Sequence, residues 1–275
     1  LFLNQLILSS GDSSINLGPN AGEDSSGTAS VSIGPSAGID STGHFRVSIG
    51  SHAGASMASS YGNNDVSIGH GAGFEATGTT PGSNVHIGYI AGHLSEGRNS
   101  VHIAESAGES QSSNYGVSVG YYAGSKADGD NNIIIGNTAG YNSNGDENVY
   151  IGLNAGQSSE FGDEGGDENV YIGKYAGFGS TSGDNNLYIG LNAGRNTQGN
   201  NNIEVVAAGA GLSILNGSNL LHIGNTIIGD TDARRLAVGL VGAGDFSPDA
   251  TIEIKPSGTA TVGFIVQAAA SHTAN

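Results

Sequence analysis

Cysteine and tryptophan are absent from the 275 residues, methionine occurs once and proline five times. Without cysteine there are no disulfides and no thiolate metal sites, and the chain carries no redox mark of its compartment. Basic residues are scarce too. Eight Lys and Arg face 25 Asp and Glu, for a net charge of −17, so phosphate backbones are repelled and nucleic acid is not an expected partner. The same charge keeps a long exposed surface soluble. No stretch nears the roughly 18 apolar residues of a spanning helix, so membrane insertion is not expected. The opening LFLNQLILSSG has no initiator Met and no basic segment, which argues against a signal peptide. A start at Leu1 and an end at SHTAN read as a piece of a longer polypeptide.

What the chain has in excess is glycine, 48 residues, placed at fixed points of a repeat rather than in a collagen period. The unit is clearest as VYIGLNAG (149–156) and returns as VYIGKYAG (170–177), LYIGLNAG (187–194), IIIGNTAG (133–140) and VSVGYYAG (117–124). Upstream stand VHIAESAG (101–108), VHIGYIAG (85–92), VSIGHGAG (66–73), VSIGSHAG (47–54), VSIGPSAG (31–38) and INLGPNAG (15–22), and two worn copies follow at 203–210 and 221–228. Of the twelve spacings between the thirteen starts, seven are 16 residues and the rest 17–21. Such self-similarity signals a stack in which no unit folds alone.

Positions 1 and 3 of the unit, such as Val149 and Ile151, are branched aliphatics that share one face of a short strand, with position 2 on the other face. This spacing predicts that positions 1 and 3 form the core and that position 2 faces outward. Glycine at position 4 fits a tight turn, and Ala104 and Val206 are its two exceptions. Positions 5 and 6 accept Pro19, Ser36, His52, Tyr122, Asn154 and Tyr175, the mark of an exposed turn. Ala155, Ala176 and Ala193 at position 7 suit a narrow interior, and polar turns such as GDNN (129–132) precede the next unit. Each coil is expected to have two turns and two short extended legs. The fold class is therefore all-β, a parallel β-solenoid with coils of about 16 residues.

NSVHIA (99–104) and NVYIG (148–152 and 169–173) resemble the head repeat of trimeric autotransporter adhesins over about residues 11–225. That resemblance implies a left-handed β-roll with three chains side by side. The membrane anchor and coiled-coil stalk of that family are not expected within these residues. The C-terminal segments IGNTIIGDTDARRLAVG (223–239), DFSPDATIEIKPSG (245–258) and VGFIVQAAASHTAN (262–275) are similar to tail-fibre proteins of marine tailed phages. This second resemblance implies a homotrimeric fibre segment on the extracellular face of a virion. Its partners would be other tail or baseplate proteins and a host-cell receptor, such as a polysaccharide. An adhesin head that binds its own ligand is the alternative. The expected organisation is a connection at 1–14, a solenoid shaft at 15–228 and a β-rich, trimerising cap at 229–275.

Candidate sites follow from these columns. Tyr150, Tyr171 and Tyr188 recur at position 2 and are expected as an aromatic ladder, either at a trimer interface or exposed for glycan stacking. His86 and His102 share that column and would bring six imidazoles to a threefold axis, where a metal or anion could bind. Acidic turns at Asp146, Glu147, Asp163, Glu164, Asp167, Glu168 and Asp184 lack the register of calcium-binding β-rolls and read as solvated turns. No cofactor is expected. Short uniform coils leave no deep cleft, so an enzyme is not expected either.

Overall fold

In a computed structural model of the chain, each V-x-I triplet is a strand of three residues and the rest of each coil is turn. The structure describes residues 6–8, 13–77, 83–158, 166–180, 182–206, 217–224, 227–230, 235–238 and 252–253. The strands are β1 (Leu6–Leu8), β2 (Ile15–Leu17), β3 (Val31–Ile33), β4 (Thr42–His44), β5 (Val47–Ile49), β6 (Ala58–Asn63), β7 (Val66–Ile68) and β8 (Val85–Ile87). Then come β9 (Val101–Ile103), β10 (Val117–Val119), β11 (Ile133–Ile135), β12 (Val149–Ile151), β13 (Val170–Ile172), β14 (Leu187–Ile189), β15 (Ile203–Val205) and β16 (Leu220–Ile223). Short strands β17 (Ile227–Asp230), β18 (Arg235–Val238) and β19 (Ile252–Glu253) complete the series. Among the described residues there is no helix.

Parallel pairing joins β2, β3, β5 and β7 through β16 in one register, so that Val117, Ile133, Val149, Val170, Leu187 and Ile203 form one column. The chain is thus a parallel β-solenoid. Stacked parallel strands rise about 4.8 Å each, so the thirteen strands extend over roughly 58 Å. Pairing turns antiparallel at both ends, between β1 and β2 and between β16, β17 and β18. Most of the segment expected to form a cap, 229–275, lies outside the described residues, as do Asp163 and Glu164.

One strand per coil, not two legs, carries the ladder. Among the described residues, the opposite side of the coils shows only the irregular β4–β6 pair and isolated bridges linking Ser112, Asp128 and Asn144. Backbone bonding nonetheless continues around the turns. The N–H of Gly140, Gly156 and Gly177 donates to the carbonyl of Ala155, Ala176 and Ala193 in the next coil, at 2.8–2.9 Å. A turn-rich coil can therefore satisfy its polar backbone by stacking alone.

The facing of the strands is the reverse of the sequence expectation. Position 2 is buried and positions 1 and 3 are half-buried or exposed, with Ile133 41% and Ile135 39% accessible against 1% for Tyr188. Space decides this. A coil of about 16 residues encloses room for one strand side chain, so the single middle residue goes in and the flanking pair goes out. Alanine at position 7 lies opposite, fully buried from Ala37 to Ala193.

Two glycines of the repeat unit make room for this packing, one between coils and one beside the inward ring. At Gly152 (φ +135°) a Cβ would stand 2.6 Å from the Gly173 carbonyl oxygen of the next coil, so the position-4 column is backbone against backbone. At Gly156 (φ +61°) a Cβ would fall 2.5 Å from the Tyr150 ring. Both positions lie in the left-handed region where glycine carries no steric penalty.

Candidate functional site

The position-2 column is an internal stack running Ser32, Ser48, Ser67, His86, His102, Ser118, Ile134, Tyr150, Tyr171, Tyr188, Glu204 and His222, all buried. Tyr150, Tyr171 and Tyr188 stack at 5.2 and 5.0 Å, nearly parallel. Ser143 Oγ donates to the Tyr150 hydroxyl at 3.1 Å and Thr197 Oγ1 to that of Tyr188 at 3.0 Å. Burial raises the pKa of Tyr150 and of Tyr171 far above the usual phenol range. The tyrosine ladder exists, but inside one chain. It is neither a trimer contact nor a glycan platform.

His86 and His102 also stack inside the chain, 5.1 Å apart and tilted by 15°. None of their four ring nitrogens meets a hydrogen-bond partner in good geometry. Burial holds His102 down to about 4, with the nearby Gln111 side chain opposing the shift, and drives His86 well below its ordinary value. Sealed in the interior, the pair cannot gather six rings on a threefold axis, and that expectation is withdrawn. Among the described residues no group of three or more His, Asp or Glu could hold a metal ion.

Two internal pairs went unread in the sequence. Glu204 Oε2 accepts the Gly194 N–H at 2.7 Å, and Oε1 lies 3.2 Å from His222 Nδ1, with both residues buried. Arg46 lies 3.8 Å from Asp65, and its guanidinium donates to the carbonyls of Thr42 and Met57. Neither pair reaches solvent, so both are structural. Burial depresses the Arg46 pKa and raises that of Asp65, with each partner opposing the other's shift.

The acidic turns carry a structural role of their own. Asp130, Asp146 and Asp167 each donate a backbone N–H to the side-chain oxygen of the residue one coil on, Asp146, Asp167 and Asp184, at 2.7–3.0 Å. A buried Asn column runs the other way. The backbone N–H groups of Asn148, Asn169, Asn186 and Asn202 donate to Oδ1 of the Asn one coil back, at 2.8–2.9 Å.

Among the described residues, two surfaces remain open to partners. Positions 1 and 3 make a continuous double column of Val, Ile and Leu from β2 to β16. Roughly 58 Å by 10 Å, it covers on the order of 600 Å², the upper end of what a monomer leaves exposed. The second surface is the turn edge at positions 5, 6 and 9. There His70 stacks on Tyr89 (5.4 Å) and Phe74 on His93 (5.6 Å), with His93 Nδ1 3.9 Å from Glu109. Further along, Arg195 lies over both Tyr175 and Phe178, at 5.4 and 5.3 Å. Between these groups opens a groove of about 420 Å³ lined by Glu109, Tyr122, Lys126, Thr138, Tyr141 and Gln157.

Tyr122 and Tyr175 were readable as turn residues from position 6. Phe74, His93, Tyr141 and Phe178, at position 9, follow the recurring Ala-Gly directly, which was the one available signal. Protein-family models, curated proteins and solved structures give no match to this chain.

Proposed function

We propose that the chain is a shaft segment of a homotrimeric phage tail fibre, which displays a host-receptor-binding tip and serves attachment from the virion surface. The observation that carries this reading is the uninterrupted V-x-I stripe. A 600 Å² apolar face is close to one side of a standard interface (about 800 Å²). A copy of the same chain presents the same coil rise along its whole length, so three copies can cover one another's stripes in register. The trimer contact thus moves from the tyrosine column to Val149, Ile151 and their equivalents.

The mechanism is mechanical and multivalent. Ladders on every coil hold a tip away from the particle, and several trimers multiply weak contacts into avidity. Nothing in it requires catalysis. Light scattering of the purified chain should give a trimer, and Ile151→Lys with Ile172→Lys should give a monomer with an unchanged β spectrum. A wild-type chain that stays monomeric at micromolar concentration overturns the assembly. An antibody against the chain should decorate virion tails, and envelope labelling would favour the second reading, an adhesin head. The aromatic turn edge is the observation that favours that alternative.

A further inference from the structure

The groove on the turn edge takes no part in a shaft, and its chemistry is that of a ligand site. We propose that it binds a neutral glycan. Tyr122 and Tyr141 meet at 6.3 Å and 72°, forming two walls set at a steep angle. Lys126 ties this corner together, its Nζ 3.2 Å from the Tyr141 hydroxyl and 5.6 Å from the ring centroid. Glu109, Thr138 and Gln157 complete the lining with a carboxylate, a hydroxyl and an amide. Aromatic faces pack against the C–H face of a sugar ring, while mixed donors and acceptors meet its hydroxyls.

Other ligand classes fit less well. The volume of about 420 Å³ falls within the roughly 300–1,000 Å³ of small-molecule sites and is far too large for an ion. Most of the lining is polar, which disfavours an apolar guest. One acid and one base leave the groove without net charge, and the −17 of the whole chain repels polyanions. Tyr122 (φ +53°) and Thr138 (φ +51°) hold the left-handed turn that position 6 adopts throughout the described coils, Ile90 (φ +48°) and Tyr175 (φ +58°) included, so their backbone geometry belongs to the repeat.

Saturation-transfer NMR and calorimetry on the intact chain would test the site with cellohexaose, maltohexaose and a linear galactan, and with polygalacturonate as the acidic control. Transfer to at least one neutral oligosaccharide and none to polygalacturonate is expected. Tyr141→Ala should weaken binding by about tenfold or more, the scale of one aromatic stack. Thr138→Asn, which replaces the lining hydroxyl with the residue that stands at 154 and 192, and Gln157→Ala provide milder variants should Tyr141→Ala fold poorly, and each should weaken binding severalfold. Tyr175→Ala, elsewhere on the same edge, should leave binding unchanged. The proposal fails if no neutral oligosaccharide binds the folded chain, if polygalacturonate binds better, or if all three groove variants bind as the parent does. None of these outcomes depends on whether the chain self-associates.

Discussion

Two halves of the solenoid share one backbone and differ inside. From coil 117 to coil 187 the interior is dominated by one apolar cluster, running from Ala123 through Ile134, Tyr150, Tyr171 and Tyr188 to Val206, with the buried Glu204–His222 pair beyond it. The Asn column lies beside it, each Asn accepting a backbone N–H from the next coil. From coil 31 to coil 116 the same column holds Ser32, Ser48, Ser67, His86 and His102, next to Gln111 and the Arg46–Asp65 pair. Among the described residues, most buried polar atoms without a hydrogen bond in good geometry lie in this first half, including Arg46 Nε and Nη1, both ring nitrogens of His86 and of His102, Ser106 Oγ, Gln111 Nε2 and Ser113 Oγ. Yet strand register continues unchanged across the boundary, and the position-4 backbone contact persists there although Ala104 replaces one glycine. The backbone ladder and glycine spacing therefore specify the fold, and the interior side chains set how stable each stretch is. In a stack where each coil touches only its neighbours, local differences of this kind persist instead of averaging out.

Acid should break the comparison most strongly. His86 and His102 are neutral in the fold, with His102 near 4, while in the unfolded chain they titrate near 6.5. Above pH 6.5 neither state binds the proton and the pair contributes no pH dependence. As pH falls from 6.5 towards 4 the unfolded state gains protons that the folded state refuses, and stability drops. His102 alone accounts for about 3 kcal/mol over that window, and His86 adds to it. The first half should melt before the second. On acid titration, far-UV β signal should fall while the near-UV signal of the tyrosine stack persists. His86→Ser with His102→Ser, the residue already present at 67 and 118, should remove most of the slope. Coincident loss of both signals in the parent would show that the halves are not separable.

Truncating a ring in the apolar half comes next. Tyr171 lies between Tyr150 and Tyr188 at about 5 Å from each, so Tyr171→Ala opens a cavity that stacked neighbours cannot collapse into. A loss of about 3–5 kcal/mol is expected from urea midpoints at constant m-value. Ser67→Ala, at the same position in the polar half, should change stability by less than about 1 kcal/mol. Equal losses would mean that the column has one energetic character throughout.

The repeat, its register, the glycine roles and the buried alanine column were all legible in the sequence, because each depends on spacing along the chain. The facing of the strand was not. Val149 and Ile151 look like core since they hardly vary, and Tyr150 looks like surface since its position holds Ser, His, Ile, Tyr or Glu in other coils. Periodicity of two says only that these sets are on opposite faces. Which face is inside depends on the width of the coil, a three-dimensional quantity. Gly156 was the missed clue, because its Cβ would strike the Tyr150 ring and so the ring must turn inward. The groove was illegible for a related reason: Glu109, Tyr122 and Tyr141 come from three successive coils and meet only through stacking.

The smallest expected difference tests the Asn column itself. Asn169 donates its backbone N–H to Asn148, and its Oδ1 accepts both the backbone and the side-chain N–H of Asn186, at 2.9 and 3.0 Å. Its Nδ2 also donates to the Gly183 carbonyl at 3.0 Å. Asn169→Ala leaves the buried Asn186 N–H unpaired, a cost of about 1–3 kcal/mol. At the matching position of the first half, Ser100 Oγ donates to the carbonyls of Arg98 and Ser113 at 3.2 Å, so Ser100→Ala frees acceptors only and should cost about 1 kcal/mol. Native-state hydrogen exchange separates the two cases residue by residue. The Asn186 amide should exchange about tenfold faster for each 1.4 kcal/mol lost, while amides near Ser100 barely change in Ser100→Ala. An Asn186 amide as protected in Asn169→Ala as in the parent would show that backbone stacking alone holds the coils. The interior of the second half would then owe its order to the tyrosines and not to the amide ladder.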